Sequence, residues 1–505
     1  MRRVLLGAYL VGLIVRVALL PSKPFWRDEA WVAALIGPPL PGSVVPKWPC
    51  PVPIGFLALV RAVATPLGLS PEVGYRLVPL LAGLAALPLL AQLAAALGAA
   101  PAVTAIAVWL AAGMPALIYY SRELKSYGLD LLFAIVVPLL ALRVLGRSAD
   151  APDRAAGTAT FAALLAALAA APWLSFGAIF PIAATLAWGW LTCWRHRDRR
   201  SARRWLAATA VAGLSFAAVF QVALAGQSTS GRLHDLWRPY LFASRGVYPE
   251  QIARALARYA VLPLWYFFPG LWPIAAALVV VGMCAWPRAQ RALLAWLWAG
   301  PGLAAVAAAL ADRYLLAQGR LLLFAAPPLL LAVGCGLSWT GAALAGRTGI
   351  RLAFAAAVGL ALFWSAAAIA HRLPPYRDDW NTYFRYDILH DVDALIAQTA
   401  ELAAPGEPVL ISLYTAWPFA YYGRGRLPGV TLCVEPCPQF PGVLADFLAH
   451  IRDGQRGWLL LLDEEQERLA SAISAAGVAH RQRAAARGGA VWELVRESAA
   501  QPSSQ

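Results

Sequence analysis

Two carboxylates stand side by side at Asp28 and Glu29, in the stretch "PSKPFWRDEAWVAAL" (21–35), with Trp26, Arg27 and Trp31 around them. Two more, Glu123 and Asp130, fall in "YYSRELKSYGLDLLFA" (119–134), beside Arg122, Lys125 and Tyr127. Carboxylates can hold a hydroxyl and take its proton, and nearby cations can meet the charge of a phosphate. Adjacent acids repel, so a merely solvated turn between interfacial tryptophans does not require both. Arg122, Glu123 and Lys125 also fit a cluster of snorkelling interfacial charges. If the chain is helical there, Tyr120, Glu123 and Tyr127 share one face. Asp130 then lies about one turn inside the next apolar segment, where an ionisable group is expensive and marks either a functional position or a structural partner of a nearby Arg or Tyr.

The elements around these residues are read from composition. The hydrophobic fraction is 60% and the mean hydropathy +0.61, beyond the usual soluble range. Acids are scarce: of 27, only 11 precede residue 371, against 30 Lys and Arg, which gives that part a net charge of +19. The remaining tail has 12 basic and 16 acidic residues, net −4. In a membrane protein excess Arg is first explained by cytoplasmic loops, so the basic balance does not imply nucleic acid.

Segments long enough to cross a bilayer fall at 4–20, 76–98, 102–120, 127–145, 157–172, 174–194, 205–225, 259–285, 292–311, 320–339 and 351–370, eleven in all. No small-residue cleavage site follows the first, which reads as a retained anchor. Arg16 within it reads as a cation snorkelling outwards. The loop "RHRDRRSARR" (195–204) carries six Arg and one Asp and is expected on the cytoplasmic side. Counting from it places loops 21–75, 121–126, 226–258 and 312–319 outside, with everything after 371. Loop 226–258 has five Arg and two acids, but a long loop follows the charge rule less closely than a short one.

The tail has short apolar runs, "EPVLISLY" (407–414), "GWLLLLD" (457–463) and "AVWELV" (490–495), with the spacing of buried strands. Helical spacing occurs at 387–402 and 463–477. Alternation of this kind predicts a small α/β domain. The six cysteines are too scattered for a disulfide framework, although an oxidising compartment permits a bridge between Cys433 and Cys437, with Cys50 left free. His234, in the long outer loop, is at most a lone ligand. No Walker loop and no "GxSxG" elbow occurs, which removes support for ATP-driven transport and for a serine hydrolase of that type.

The order of "WRDEA" (26–30), "YSRELKSYGL" (120–129), "RYLLAQGRLLLFAAPPLLL" (313–331) and "PPYRDDWNTY" (374–383) resembles the bacterial polyprenyl-phosphate-sugar glycosyltransferases of the GT-C fold, relatives of the protein O-mannosyltransferases and lipid A aminoarabinose transferases. Lys125 stands where many relatives carry Arg, keeping the charge without the bidentate fork. The resemblance implies an α-helical polytopic membrane protein, with a GT-C-like transmembrane domain over 1–370, a catalytic outer loop 21–75 and a small extracytoplasmic α/β domain over 371–505. It implies transfer of a sugar from a polyprenyl-phosphate donor to a lipid, polysaccharide or protein acceptor, at the outer face of a bacterial inner membrane. Asp28 would be the base or acceptor-positioning acid. Glu29 and Glu123 would support it or ligate a divalent metal ion. Arg122, Lys125 and Arg320 would bind the lipid phosphate, and Tyr127 would donate to it or shape its pocket. Arg27 and Asp130 complete the expected substrate-binding set. A non-enzymatic flippase or exporter of lipid-linked glycans shares the basic pocket but needs no fixed acid pair. A membrane-anchored sensor needs far fewer spans.

Overall fold

The structure is a computed structural model and describes residues 1–18, 20, 25–37, 52–150, 154–197, 199–224, 248–316, 319–369, 391–411 and scattered parts of 419–495. Cys50, His234, Cys433, Cys437 and the segment 374–383 lie outside the described residues, as does most of loop 226–258.

The chain is a multi-pass helical membrane protein with a small sheet after the last helix of the bundle. The helices in order are α1 (Arg2–Ala18), α2 (Arg27–Ile36), α3 (Ile54–Ala64), α4 (Pro71–Gly74), α5 (Leu77–Ala96), α6 (Pro101–Gly113), α7 (Pro115–Tyr120), α8 (Tyr127–Asp150), α9 (Arg154–Leu174), α10 (Ile179–His196) and α11 (Arg199–Val219). Then come α12 (Pro249–Phe267), α13 (Trp272–Ala285), α14 (Arg288–Leu310), α15 (Ala326–Ile369) and α16 (Val392–Leu402).

Among the described residues six helices are long and apolar enough to cross a membrane, or seven if α12 and α13 form one bent span. Part of the difference from the eleven expected spans has local causes. The expected span 259–285 is two helices at 112°, because Pro269 and a left-handed Gly270 (φ +71) interrupt it. The expected span 102–120 breaks before Pro115, which forces Met114 into extended backbone (ψ 122). Residues 326–339 and 351–369 of the last two expected spans lie on the two arms of α15, folded back at Ala345 and Gly346. A Cβ on Gly341 would lie 2.4 Å from the Gly349 carbonyl oxygen, so the arms meet there. Loop 21–75 is largely helical: α2 and α3 bury Val32, Ile36, Phe56 and Val60 with Phe133 and Val137 of α8.

The break at Pro115 explains Arg16. It does not snorkel but is 1% exposed, inside the bundle. Proline has no N–H to continue the helix, and the guanidinium donates instead to the last carbonyls of α6, Ala112 at 2.9 Å and Ala111 at 3.2 Å. Lipid tails give helices no hydrophobic reason to associate, so close backbone approach matters. It is reached at Gly282 and Gly336, where a Cβ would stand 1.9 Å from Ala332 O and 2.1 Å from Leu278 O.

The sheet comprises β1 (Val409–Ile411), β2 (Arg456–Leu462), β3 (Ala479–Ala486) and β4 (Gly489–Val495), in the order β1-β2-β4-β3. β1 and β2 run parallel, in register Leu410 with Leu459, and the other pairs are antiparallel. Trp458 and Leu460 face α16, while Leu459 and Leu461 face Phe447 and Ile451, so β2 is apolar on both faces. β3, "AHRQRAAA", was not expected as a strand. It is a largely exposed edge strand, and its arginines hide the alternation that marks half-buried strands.

Candidate active site

The acid pair opens a helix. Trp26 is the N-cap of α2 and its carbonyl accepts from the amides of Glu29 (2.9 Å) and Ala30 (2.8 Å). Trp26 supplies no capping oxygen, and carboxylates in the first turn favour the positive end of the helix dipole. Neighbouring residues on a helix project about 100° apart, so Asp28 and Glu29 reach different partners from one rigid turn.

Glu29 is 2% exposed. Its Oε1 accepts from Arg76 Nε at 2.8 Å and from the Leu124 amide at 2.8 Å, and its Oε2 accepts from Arg76 Nη2 at 2.5 Å. One carboxylate therefore ties α2 to the start of α5 and to the turn 121–126. The Arg76 guanidinium lies 5.0 Å from the centre of the Phe25 ring. Phe25 in turn donates its amide to the Tyr422 hydroxyl at 2.6 Å and meets the Tyr421 ring edge-on at 5.4 Å. Residues from beyond the membrane helices thus rest on the segment that carries the acids.

Asp28 faces the other way. Its Oδ2 accepts from Arg320 Nη1 at 3.2 Å, and the two side chains are 14% and 12% exposed. Arg320 sits in a tight 3-10 turn, Gly319–Ala325, not in a regular membrane helix. The turn is seated by the Tyr314 hydroxyl, which donates to the Leu321 carbonyl, and by Gly319, where a Cβ would meet the Tyr266 ring at 2.3 Å. Arg320 also lies 5.8 Å from the centre of the Tyr127 ring. Tyr127 packs edge-on against Tyr120 at 5.3 Å, and the Tyr120 and Tyr266 hydroxyls share a hydrogen bond.

The segment 121–126 is a turn between α7 and α8, so the expected helical face through Tyr120, Glu123 and Tyr127 does not form as such. The turn itself brings these residues together. Glu123 is 3% exposed, and neither of its carboxylate oxygens has a hydrogen-bond partner among the described residues. Burial, and next the charge of Glu29, push its carboxyl up to about 8, against the pull of Arg320 and Lys125 and with a smaller push from Asp28. Lys125 holds its ammonium 5.2 Å from the centre of the Trp31 ring, within cation–π range.

Arg122 and Asp130 make other contacts. Arg122 donates back along α7 to the Ile118 carbonyl at 3.4 Å. Asp130, 4% exposed, accepts from the Ser175 hydroxyl and packs on Gly177, where a Cβ would come within 2.7 Å of the carboxylate. The partner is a serine and not the Arg or Tyr expected from sequence, and the contact fastens α8 to the turn between α9 and α10. Arg27 begins α2, and its side chain lies outside the described residues. The sequence reading missed Arg76, Tyr266 and the Trp31 platform. Arg76 did give a signal, as a single cation where the expected span 76–98 begins.

Among the described residues no three His, Cys, Asp or Glu side chains stand close enough to hold a divalent metal ion, and both oxygens of Glu29 are engaged by Arg76 and the Leu124 amide.

No family model and no curated protein sequence matches this chain. Solved structures do. The structure of ArnT from Cupriavidus metallidurans bound to undecaprenyl phosphate matches over 97% of this chain and 97% of its own, with a TM-score of 0.58 and 16% identity. The oligosaccharyltransferase of Archaeoglobus fulgidus in complex with zinc and sulfate matches over 94% of this chain and 70% of its own, with a TM-score of 0.55 and 14% identity. The AglB oligosaccharyltransferase of the same organism, with an inhibitory peptide and a dolichol phosphate, matches with a TM-score of 0.51 and 13% identity over the same shares. The chain has the GT-C fold of these membrane proteins.

Proposed function

We propose that this protein is a membrane glycosyltransferase that moves a sugar from a polyprenyl phosphate to a hydroxyl acceptor. The observation that carries this reading is the Asp28–Arg320 pair, partly open and set beside Glu123, Lys125 and two tyrosines. Loops 21–75 and 121–126 and the turn at Arg320 deliver residues to this one end of the bundle, and the charge of the Arg-rich loop 195–204 supports placing that end at the outer face. The likeness to structures holding undecaprenyl and dolichol phosphates supports a lipid-phosphate donor.

Transfer needs an acceptor oxygen to attack the anomeric carbon while the bond from that carbon to the phosphate oxygen breaks. The bond electrons leave with the phosphate, and the acceptor proton goes to a base. Asp28 takes that proton. Arg320 bridges Asp28 before the donor arrives; a phosphate competes for the guanidinium, and the carboxylate is then free for the acceptor hydroxyl. Arg320 and Lys125 meet the charge growing on the leaving phosphate. Glu29 serves as the buried strut that fixes α2, Arg76 and the 121–126 turn in register. Donor hydrolysis or transfer by the purified protein in nanodiscs tests the reading. Movement of lipid-linked sugar between leaflets without any transfer would support the flippase instead.

Lys125 gives a separable expectation. With Lys125→Ala, the Michaelis constant for donor should rise about tenfold or more, the scale of one lost charge-assisted contact, with the fold intact. Lys125→Arg should keep part of the activity, because it keeps the charge above Trp31. Unchanged donor kinetics in Lys125→Ala would reduce "SRELKSY" to interfacial anchoring.

Glu123 sets a pH dependence. Its carboxyl is neutral below about 8 and ionises above it. An ionised Glu123 adds a negative charge beside the phosphate-binding cations, so donor affinity should fall as pH rises through 8. The sign for folding is the same. The native state holds a proton that the unfolded chain loses near 4.5, so this contribution to stability is full below about 4.5, falls as pH rises from there, and is gone above about 8. Donor binding measured from pH 6.5 to 9.5 should show the limb in the wild type and not in Glu123→Gln. A flat wild-type profile would remove Glu123 from the site's charge balance.

A further inference from the structure

A second basic cavity lies at the other end of the bundle. Its volume is about 540 Å³, and its walls include Arg143, Arg195, His196 and Gln290 over an apolar floor of Trp188 and Leu293. Helix lengths separate it from the acid cluster. α5 begins beside Arg76 and ends at Ala96 on the cavity wall, a rise of about 30 Å that matches the hydrocarbon thickness of a bilayer. On α8, Tyr127 and Arg143 are about 24 Å apart along the axis. The acid cluster and the cavity therefore face opposite leaflets.

We propose that this cavity binds the phosphate headgroup of an anionic phospholipid of the phosphatidylglycerol class. The lining residues include two arginines and a histidine but no carboxylate. No acid among the described residues pairs with these cations; Arg143 donates to the Gln92 side-chain oxygen at 2.6 Å. Arg195 and His196 lie in the last turn of α10, where a cation also answers the helix dipole. That accounts for one wall only, because Arg143 lies well before the end of α8. The apolar floor suits an acyl chain, and Trp194, 77% exposed on α10, suits a headgroup depth. The loop 195–204, with six Arg, begins at this wall and assigns it to the cytoplasmic leaflet, whose lipids carry the negative surface charge.

The test is native mass spectrometry of the purified protein released from nanodiscs of equal phosphatidylglycerol and phosphatidylcholine. The wild type should retain phosphatidylglycerol preferentially. Arg143→Gln with Arg195→Gln should weaken that retention by about tenfold or more, and the same two positions changed to Lys should restore most of it. Arg347→Gln with Arg351→Gln, exposed positions of the α15 hairpin, should leave it unchanged. Circular dichroism and melting of each variant show whether the fold is kept. Four results would overturn the proposal: equal retention of both lipids by the wild type, full retention by the Gln pair, an equal loss in the Arg347 and Arg351 control, or displacement of phosphatidylglycerol by added polyprenyl phosphate or inorganic phosphate.

Discussion

Asp28→Asn should lower sugar transfer by about two to four decades, the usual cost of removing a general base, while expression, melting temperature and donor binding stay near wild type. The substitution keeps the shape of the side chain and leaves an oxygen that still accepts from Arg320, which now stands 3.2 Å away. Only the charge and the proton-accepting capacity are lost. Asp28 and Arg320 are 14% and 12% exposed, and the near-identical volume of Asn keeps their packing. Single-turnover transfer from a purified polyprenyl-phosphate sugar separates the chemical step from binding. A rate within a few-fold of wild type would leave Asp28 as no more than a partner for Arg320, and the flippase would become the better reading.

Its neighbour should behave in the opposite manner. Arg76→Leu or Glu29→Leu alone should cost about 3–5 kcal/mol of stability, because each leaves a buried charge without its partner. The side chains are 7% and 3% exposed and joined by two hydrogen bonds, so solvent screens them weakly. Replacing both with Leu removes both charges and should recover most of that loss, giving a coupling well above 1 kcal/mol in a double-mutant cycle. Denaturation in one detergent across the four proteins measures it. Additive losses would mean that the pair does not act as a strut. The Leu124 amide, which also donates to Glu29, predicts that the Glu29 variants loosen the turn carrying Glu123 and Lys125. They should therefore lose donor affinity as well as stability, a combination not expected of Asp28→Asn.

Two adjacent acids with different partners, Arg320 for Asp28 and Arg76 for Glu29, follow from a feature that local reading did not supply. "RDEAW" reads as part of the outer loop 21–75, whereas residues 27–36 form a helix whose apolar face packs under α8. Most of the residues singled out from the sequence nevertheless come together. Asp28, Glu29, Glu123, Lys125, Tyr127 and Arg320 converge at one end of the bundle. Asp130 and Arg122 look alike in sequence and are turned elsewhere.

What the sequence determined by itself is what composition and period can encode. Long apolar segments require a bilayer, Arg-rich loops set the expected orientation, and scarce acids in outer loops mark where charge is kept at a cost. The two-faced apolar run of β2 likewise announced a buried strand. What only the tertiary structure decided is which charge meets which. Arg16 turned inwards because Pro115 frees carbonyls on another helix. Arg76, hidden at the mouth of a span, became the partner of Glu29. β3 became a strand by pairing with β4, although its own residues show no alternation. These outcomes depend on contacts between segments far apart in the chain, where the desolvation of a charge is offset only by a partner that the fold brings to it, and local sequence carries no record of that distance.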